Sequence, residues 1–423
     1  MFQQFLFKPQ IISKEHLKKF TLLFSNLPIL EISHRQGRHT VYPKFNLLCA
    51  CLYKNLRGLA TFIDLIREFH DFPDAAKICQ IKLPVNKELF SSFIRDTPNT
   101  FFKTIEEILV KELISLGEIK GEYLSCDNCP IFANVKENNF KTNVKDRFDK
   151  TKISQGDPDA TLGAYVVYHP GKKVDFFWGY RNHIINDAIS ELPIAERTFP
   201  NNVSGSKLFI PHFSYVKDTY NFDIKAVMGD SEFDSYKNIE FIVKELKAQP
   251  IIAKNPRAGE GHKFKISKTG EPICIAGIPM LSHGKYFEKE KNRWRHKFVC
   301  RIKNSKKFAQ HLGGWCPWNH PNFVNNRYGC CVNLRIDVDE SIRKSIDYGS
   351  QTFKKLYNLR PSSERIFSRL LNYFMPYPTV TGIQAVSNVC SIAHITVLLI
   401  ALTAVKTGHK NKIRFIKNFL QIL

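Results

Sequence analysis

Residues 223–253 read DIKAVMGDSEFDSYKNIEFIVKELKAQPIIA and contain a strand, a helix and a second strand in succession. The first apolar run predicts a short strand that ends at Gly229 and Asp230. A helix is predicted to begin at Ser231, with Ser231 and Asp234 as its capping box. The final apolar run, PIIA, predicts a second buried strand. This order within about thirty residues is typical of a βαβ unit, so the sequence predicts an α/β fold.

An earlier segment also predicts a strand that runs into an acidic residue. Residues 123–126 form a short strand candidate directly before Asp127. Residues 163–168 and 174–178 are predicted to pair as a β-hairpin. Open α/β sheets bind their ligands at the carboxyl ends of the strands, so Asp127 and Asp230 are expected to lie close together there.

Glu364 is a third acidic candidate, and its spacing from two other residues is informative. Tyr357, Arg360 and Glu364 are three and then four residues apart, which places them on one face of a continuous helix. Pro361 suits the first turn of a helix better than its interior. The alternative is therefore a helix that begins near Arg360, with Tyr357 in the preceding turn. An arginine beside this glutamate could bind a phosphate and hold the carboxylate ionised.

Three converging carboxylates would suit Mg²⁺, which prefers hard oxygen ligands. Two such ions about 4 Å apart can activate a water or a 3′-hydroxyl and stabilise the leaving oxygen of a phosphodiester. Each residue also has a purely structural explanation. Asp127 could form an Asx turn, Asp230 could cap a helix, and Glu364 could pair with Arg360 on the surface. The prediction of a metal site depends on the three occurring together.

The charge of the chain indicates a polyanionic partner. The 423 residues include 62 Lys and Arg against 39 Asp and Glu, a net charge of +23. Nucleic acid is the first candidate and an anionic membrane the second. Residues 386–405 are apolar enough to cross a bilayer, but their Ser, Asn, His and Thr side chains favour a buried core helix, and no membrane association is expected.

The cysteine content and the N-terminal residues of the sequence indicate the cellular compartment of the protein. Eleven cysteines are scattered over the chain, which excludes a disulfide framework and fits a reducing cytosol. Residues 1–12 lack the long apolar core of a signal peptide. We therefore expect a cytoplasmic protein.

Changes in predicted secondary structure and in charge along the chain predict four parts. They are a helical DNA-binding domain over residues 1–118, the first part of a catalytic core over 119–255, a β-rich basic insertion over 256–340, and a helical part of the core over 341–423.

The basic insertion is the main candidate surface for DNA. Residues 251–310 carry fifteen Lys or Arg against four Asp or Glu. The alternative is a set of solvated loops with incidental charge. The candidate DNA contacts in this region are Lys254, Arg257, Lys291, Arg293 and Arg295.

Two further sets of residues are candidates with a structural alternative. Cys316, Cys330 and Cys331, with His311 and His320, could form a zinc site. They include no Cys-x-x-Cys pair, so buried free thiols are favoured. In a separate segment, His183 could position DNA or a core carboxylate, or could be a structural histidine.

With these motifs in place, the chain resembles a bacterial insertion-sequence transposase of the DDE class over residues 45–405. The resemblance is carried by short motifs around the acidic residues and by one in the N-terminal helices. They are the Asp127 block, Gly179-Tyr180-Arg181-Asn182-His183 with Asp187, Met228-Gly229-Asp230-Ser231, Tyr357-x-x-Arg360-x-x-x-Glu364-Arg365, and Leu56-Arg57-Gly58-Leu59.

The resemblance implies a ribonuclease-H-like catalytic core with a β-rich basic insertion and an N-terminal helical domain. It implies that Asp127, Asp230 and Glu364 bind Mg²⁺, with Mn²⁺ as a substitute, and that the residues around the glutamate contact DNA. Such an enzyme cuts its terminal inverted repeats and joins the 3′ ends to target DNA, working as a homodimer that holds two ends. The residues assigned to the DNA contact are Tyr357, Arg360 and Arg365.

One position departs from the family pattern. The lysine expected seven residues after the glutamate is Leu371 in this chain. Arg369 is close in sequence but lies on another face of a helix. The alternative function is therefore a catalytically inactive, transposase-derived DNA-binding protein.

Overall fold

The computed structural model describes most of the chain and divides it into two compact units. The larger unit comprises Met1–Ala253 and Tyr348–Leu423, and the smaller comprises Lys254–Asp347. The four-part division of the sequence stays a prediction. The described residues are 13–30, 42–149, 151–167, 173–255, 265–267, 269–311, 313–335, 342 and 346–414.

Six helices form the first part of the larger unit. The last of them ends at Ser115, and Gly117 follows with a φ of +76°, the left-handed conformation that commonly ends a helix. The helices are α1 (Lys14–Ser25), α2 (Lys44–Leu56), α3 (Phe62–Asp71), α4 (Pro73–Ile78), α5 (Lys87–Asp96) and α6 (Asn99–Ser115).

A mixed six-stranded sheet follows, so the α/β class is confirmed. The strand order is β2-β3-β1-β5-β6, and β4 also pairs with β3. β1 pairs antiparallel with β3 and parallel with β5, and β5 pairs parallel with β6. The strands are β1 (Tyr123–Phe132), β2 (Thr161–Val167), β3 (Lys173–Asp187), β4 (Leu192–Pro200), β5 (Ala226–Gly229) and β6 (Gln249–Ile252).

Three helices connect these strands, and the last corrects a prediction. They are α7 (Val144–Phe148), α8 (Gly205–Tyr220) and α9 (Tyr236–Lys244). The predicted capping box at Ser231 is wrong, because Ser235 caps α9 and accepts a hydrogen bond from the Asn238 N–H. The Asp230 carboxylate instead accepts from the Glu232 N–H at 2.8 Å and starts a short 3₁₀ turn. The βαβ unit from β5 to β6 is confirmed.

The smaller unit contains a three-stranded antiparallel sheet in the order β7-β8-β9. Among its described residues, the buried apolar cluster is small and consists of Cys300, Ile302, Cys316 and Phe323. Its elements are β7 (Leu281–Glu288), β8 (Arg293–Val299), β9 (Cys331–Arg335), α10 (Arg301–Asn304), α11 (Lys306–His311) and α12 (Pro321–Asn325).

Three helices complete the larger unit, namely α13 (Gln351–Tyr357), α14 (Ser362–Leu371) and α15 (Ile383–Lys406). A turn that contains Pro361 separates α13 from α14. The prediction of one continuous helix from Tyr357 to Glu364 is therefore wrong, and the interrupted alternative is confirmed.

α15 is the central core helix of the larger unit. Within the described residues it is the one helix long and apolar enough to cross a membrane, but 94% of its most apolar window is buried in the protein. It packs against α6 and β4. Its polar side chains bind the surrounding elements: Asn388 donates to the carbonyl oxygens of Ile94 at 2.7 Å and Thr97 at 2.8 Å. These contacts are those of the core helix that the sequence predicts.

Candidate active site

The parallel pairing of β1 and β5 brings Asp127 beside Asp230. The predicted end of the strand before Asp127 is wrong, because β1 continues to Phe132 and Asp127 lies within it, whereas Asp230 directly follows β5 as predicted. Ser125 of β1 lies opposite Met228 of β5. Asp127 is two residues beyond Ser125, and Asp230 is two residues beyond Met228. Because Asp127 and Asp230 are each two residues beyond this opposed pair, their side chains lie beside one another, as the sequence predicts.

Glu364 reaches the same place from the first turn of α14. Arg360 links it to the sheet, since its guanidinium forms an ion pair with Glu364 and lies 3.5 Å from the Asp127 carboxylate. The Arg360 guanidinium also lies over the Tyr357 ring, 6.0 Å from its centroid. The Glu364 side chain is 54% exposed and that of Asp127 is 16% exposed. The larger unit therefore brings together all three predicted acidic residues, with an arginine among them.

A buried group of small polar side chains holds α14 on the sheet. The Ser363 hydroxyl shares a 2.8 Å hydrogen bond with Ser125 and donates to the Asn186 side chain at 2.7 Å. Asn186 in turn donates to the Ser362 hydroxyl at 2.9 Å. These residues position Glu364 beside Asp127, and sequence analysis missed them. The available signal was Ser125, which shares a strand face with Asp127 because it lies two residues earlier.

The two aspartates are held in an environment that disfavours their negative charge. Burial, followed by the charge of Asp230, raises the pKa of Asp127 to about 7. Burial also raises the pKa of Asp230, and the nearby Glu232 carboxylate adds to this effect. Arg360 acts in the opposite direction on both. The site therefore carries more negative charge than Arg360 compensates.

The structural explanations apply to two of the three acidic residues. The alternative of an Asx turn at Asp127 is wrong, because Asp127 lies within β1 and its carboxylate accepts a hydrogen bond from the N–H of the next residue, Asn128, at 2.7 Å. Asp230 caps a 3₁₀ turn, and Glu364 pairs with Arg360 four residues earlier. These local contacts do not account for the convergence of the three residues from separate segments of the chain.

Glu232 is a fourth carboxylate near this edge, and sequence analysis missed it. It accepts hydrogen bonds at 3.1 Å from the Asn128 side chain, from Arg181 and from the Gly205 N–H. A Cβ at Gly205 would lie 2.3 Å from the Asn128 amide nitrogen, so a larger residue there would displace the Asn128 side chain from Glu232. Glu232 therefore ties the turn after β5 to the side chains of β1 and β3.

The carboxylates fit a divalent cation by chemistry, although their present spacing is not that of a closed metal site. Their oxygens are hard ligands, and the excess negative charge would be relieved by a cation. Over the residues that the structure describes, no group of three His, Cys, Asp or Glu side chains is arranged to hold a metal ion. Arg360 contacts both Asp127 and Glu364. A cation shared by these two carboxylates would have to replace the guanidinium.

The residues near Glu364 that the sequence predicts to contact DNA bind different partners within the protein. Tyr357 is half-buried and stacks on Phe353, with ring centroids 5.9 Å apart. Arg365 donates to the Glu191 carboxylate at 2.8 Å. Arg369 is largely buried and donates to the Glu191 backbone oxygen at 2.6 Å, so it does not replace the missing lysine at position 371.

The predicted contacts of the basic insertion lie mostly in the smaller unit. Lys254 is exposed, and Arg257 lies outside the described residues. The remaining three bind one carboxylate: Glu288 pairs with Lys291 at 3.3 Å, with Arg295 at 2.6 Å and with Arg293. Part of their charge is therefore already neutralised.

The prediction that His183 contacts DNA is wrong, because its side chain is fully buried. β3 lies inside the sheet, between β1 on one side and β2 and β4 on the other. The His183 ring shares a 2.6 Å Nδ1–Nδ1 hydrogen bond with His212. Burial lowers the pKa of His183 to about 3. The structural alternative is therefore the correct one.

Ionisation of His183 predicts a loss of stability in acid. The unfolded ring binds a proton below its usual pKa of 6.5, whereas the folded ring stays neutral down to about 3. The free energy of unfolding should therefore fall as the pH drops from 6.5 toward 3, by up to about 1.4 kcal/mol per pH unit for this residue. Urea titrations of the wild type and of His183→Asn between pH 7 and pH 4.5 would measure this, and the variant should show the shallower dependence.

The control is His70→Asn, a change at an exposed ring in α3. It should leave the pH dependence of stability as in the wild type. An equally steep dependence in His183→Asn would show that other groups cause the acid sensitivity.

The cysteine and histidine set proposed from the sequence is not brought together as a whole. The Cys331 thiol is directed to the Gly329 carbonyl oxygen at 3.6 Å, and His311 is exposed. Cys316, Cys330 and His320 do line one cavity, together with Cys274 and Cys300, which sequence analysis did not include.

Comparisons with known proteins give a distant likeness to solved structures. No protein-family model matches the chain, and no curated protein matches its sequence. Among solved structures, it is similar to the piggyBac transposase in the cryo-EM structure of its synaptic complex with hairpin DNA, at 12% sequence identity and a TM-score of 0.39. The likeness covers 96% of this chain and 75% of that chain.

Proposed function

We propose that this chain is a DNA transposase of the DDE class with a ribonuclease-H-like core. It would bind its terminal inverted repeats, cut DNA strands there, and join the resulting 3′-hydroxyl ends to target DNA. Asp127, Asp230 and Glu364 would hold two Mg²⁺ ions, with Mn²⁺ as a substitute.

The observation that carries this proposal is the convergence of three carboxylates from distant parts of the sequence. Asp127 lies within β1, Asp230 directly follows the adjacent parallel strand β5, and Glu364 arrives on a helix that buried serines hold against the sheet. Structural turns and caps would not require them to meet. A shared site that raises the pKa of Asp127 to about 7 costs stability, which is common where function requires it.

The chain's own residues would have distinct roles in this reaction. Bound Mg²⁺ would activate the attacking water or 3′-hydroxyl and stabilise the leaving oxygen. Asp127 and Asp230 would hold the ions at the edge of the sheet, and Glu364 would complete the site from α14. Arg360 would move from the carboxylates to a DNA phosphate, which a guanidinium can bind through two parallel hydrogen bonds.

The charge of the chain supports DNA as the partner. At +23, it would favour binding to a phosphate backbone and would make that binding strongly salt-dependent. We propose that the basic smaller unit and the N-terminal helices contribute these contacts, and that two copies of the chain hold two DNA ends.

The test of the function is a cleavage assay. Labelled DNA carrying the inverted repeats that bound the gene would be incubated with the protein and Mg²⁺. A metal-dependent cut at the repeat boundary is expected. Failure to bind and cut these ends under any Mg²⁺ or Mn²⁺ concentration would contradict the proposal.

One position supports the alternative of an inactive, transposase-derived DNA-binding protein. Leu371 is 51% exposed at the end of α14, where the family pattern has a lysine. Arg369 cannot serve in its place while it is bound to Glu191. Tight binding of the repeats without cutting at any Mg²⁺ or Mn²⁺ concentration would favour this alternative. Leu371→Lys would then be the variant to test for restored cleavage.

The salt dependence of binding tests the role of the smaller unit. If Lys291 contacts a phosphate, Lys291→Gln should flatten the slope of log Kd against log salt concentration by about 0.9. Fluorescence anisotropy with labelled repeat DNA from 50 to 300 mM salt would measure the slope.

Lys244→Gln is the matched control for this change. Lys244 is also a lysine paired with a nearby glutamate, with its ammonium 2.7 Å from the Glu240 carboxylate, but it lies on α9 of the larger unit. Its substitution should leave the slope unchanged. An unchanged slope in Lys291→Gln would place the bound DNA elsewhere.

A further inference from the structure

Four cysteines of the smaller unit meet at one small cavity. Its free volume is about 10 Å³, and its walls include four thiols, the side chain of His320 and several apolar groups. The cysteines come from four separate segments of the sequence and are Cys274, Cys300, Cys316 and Cys330. Chance burial of single thiols does not explain why four of them should face the same small space.

Two of the four cysteines begin tight turns of the same kind. The carbonyl oxygen of Cys274 accepts a hydrogen bond from the Gly277 N–H at 2.9 Å, and that of Cys316 accepts from the Asn319 N–H at 3.0 Å. Gly277 and Asn319 both adopt positive φ angles, of 74° and 47°. These turns hold two thiols at defined positions on otherwise irregular segments.

The other two cysteines lie side by side. Gly329 has a φ of +67°, and a Cβ at this position would lie 2.6 Å from the Cys300 Cβ, so only a glycine lets Cys330 approach Cys300. The Cys300 sulfur accepts hydrogen bonds from the Cys330 thiol and from the backbone N–H groups of Ile302 and Lys303. N–H groups directed at a sulfur stabilise the thiolate, which is the form that binds metals.

The described part of the smaller unit has a small apolar core. One buried cluster has four members, two of which are Cys300 and Cys316, and Met280, Phe298 and Val299 are buried as well. A core of this size contributes little hydrophobic stabilisation, and small units of this kind commonly depend on disulfides or a structural metal. Free cysteines that act as small apolar side chains would leave the unit without either.

We propose that Cys274, Cys300, Cys316 and Cys330 bind one structural Zn²⁺ ion. Four thiolates in tetrahedral geometry are a common structural zinc site. Binding would release the thiol protons and draw the four sulfur atoms to about 2.3 Å from the ion. The side chains are not yet at this spacing, because no described group of three such ligands is arranged to hold a metal.

The two nearest alternative ligands are excluded by their own contacts. Cys331 follows Cys330 directly, but its thiol is directed to the Gly329 carbonyl oxygen. The Nδ1 atom of His320 accepts the Asn322 N–H at 3.1 Å and so caps α12. The zinc site is therefore a four-cysteine site, in contrast to the mixed set that the sequence suggests.

The test is the metal content of the full chain. The protein would be purified under reducing conditions from cells grown with zinc, and its metals measured by mass spectrometry. We expect one zinc per chain in the wild type and in Cys331→Ser, the matched control next to a ligand. Cys300→Ser and Cys316→Ser should each retain much less than one zinc per chain, because each lacks one of the four ligands.

A cobalt titration keeps the proposal testable if the ligand variants fail to fold. Co²⁺ added to the metal-stripped wild type should produce thiolate-to-cobalt charge-transfer absorption and the strong visible bands of a tetrahedral site. Any of three results would overturn the proposal: no metal and no such spectrum in the wild type, iron with acid-labile sulfide in place of zinc, or loss of zinc in Cys331→Ser equal to that in Cys316→Ser.

Discussion

Asp127→Ala and Asp230→Ala should each abolish strand cleavage while the protein still binds inverted-repeat DNA. Loss of one metal ligand removes several kcal/mol of transition-state stabilisation, which corresponds to a decrease in cleavage rate of about a thousandfold or more. DNA affinity should stay within about twofold of the wild type, because basic side chains that neutralise phosphates supply most of it. The measurements are single-turnover cleavage of labelled repeat DNA and an anisotropy titration of the same DNA.

Asp223→Ala is the matched control for these variants. Asp223 is exposed and precedes β5, whereas Asp230 follows it, so the two aspartates lie at opposite ends of one strand. The control should cleave at the wild-type rate. Normal cleavage by either Asp127→Ala or Asp230→Ala would show that these carboxylates do not hold the catalytic metal.

Lys103→Met should cause the largest loss of stability in the larger unit. The Lys103 ammonium donates to the Glu106 carboxylate at 2.9 Å and to the Glu196 backbone oxygen at 2.7 Å, and it forms an ion pair with the Glu196 carboxylate. Both carboxylates are almost completely buried. Removing one partner of a buried ionic group leaves the other uncompensated and typically costs about 3–5 kcal/mol.

Urea denaturation at pH 7 would measure the loss, and two further variants make the result specific. Lys111→Met lies on the same helix, where the lysine is 56% exposed and 3.9 Å from Glu107, and should change stability by less than about 0.5 kcal/mol. Lys103→Met combined with Glu196→Gln should recover part of the loss, because one of the uncompensated carboxylates is then gone. If Lys103→Met were as stable as the Lys111→Met control, Lys103 would not be the compensating charge.

This ionic group continues into the polar side of the core helix. Ser391 donates to the Glu196 carboxylate at 2.7 Å, and His394 shares a 3.0 Å hydrogen bond with Asn182. Asn182 also donates to Glu196. The polar residues that argue against a membrane span in the sequence are therefore the ones that bind α15 to the sheet and to α6.

Local sequence was sufficient to predict the elements that hold the candidate site. Asp230 was correctly placed directly after a strand, because runs of apolar residues before an acidic residue are visible without tertiary information. The strand before Asp127 was also found, but its continuation to Phe132 was not. The sequence did not settle whether the chain breaks before α14, since the spacing of Tyr357, Arg360 and Glu364 favoured one helix and Pro361 favoured two. The structure has two helices.

The contacts between distant segments could not be predicted in the same way. Ser125 and Ser363 meet because α14 packs on β1, and nothing in the sequence near either residue specifies this. His183 is buried because its ring packs against His212 of α8 and Phe233 on one face of the sheet, contacts that the sequence of a single strand does not reveal. Cys274 and Cys300 were missed because the cavity that they line is formed by segments far apart in the sequence.

The sequence by itself determined the α/β class, the basic charge, the position of the core helix and the identity of three acidic residues as candidates. These depend on composition, on periodicity over a few residues, and on the conformational preferences of glycine and proline. Only the tertiary structure decided that the acidic residues converge beside Arg360 and that four cysteines share one cavity. Both depend on strand register and on packing between segments far apart in the chain, which are settled by the folded protein as a whole.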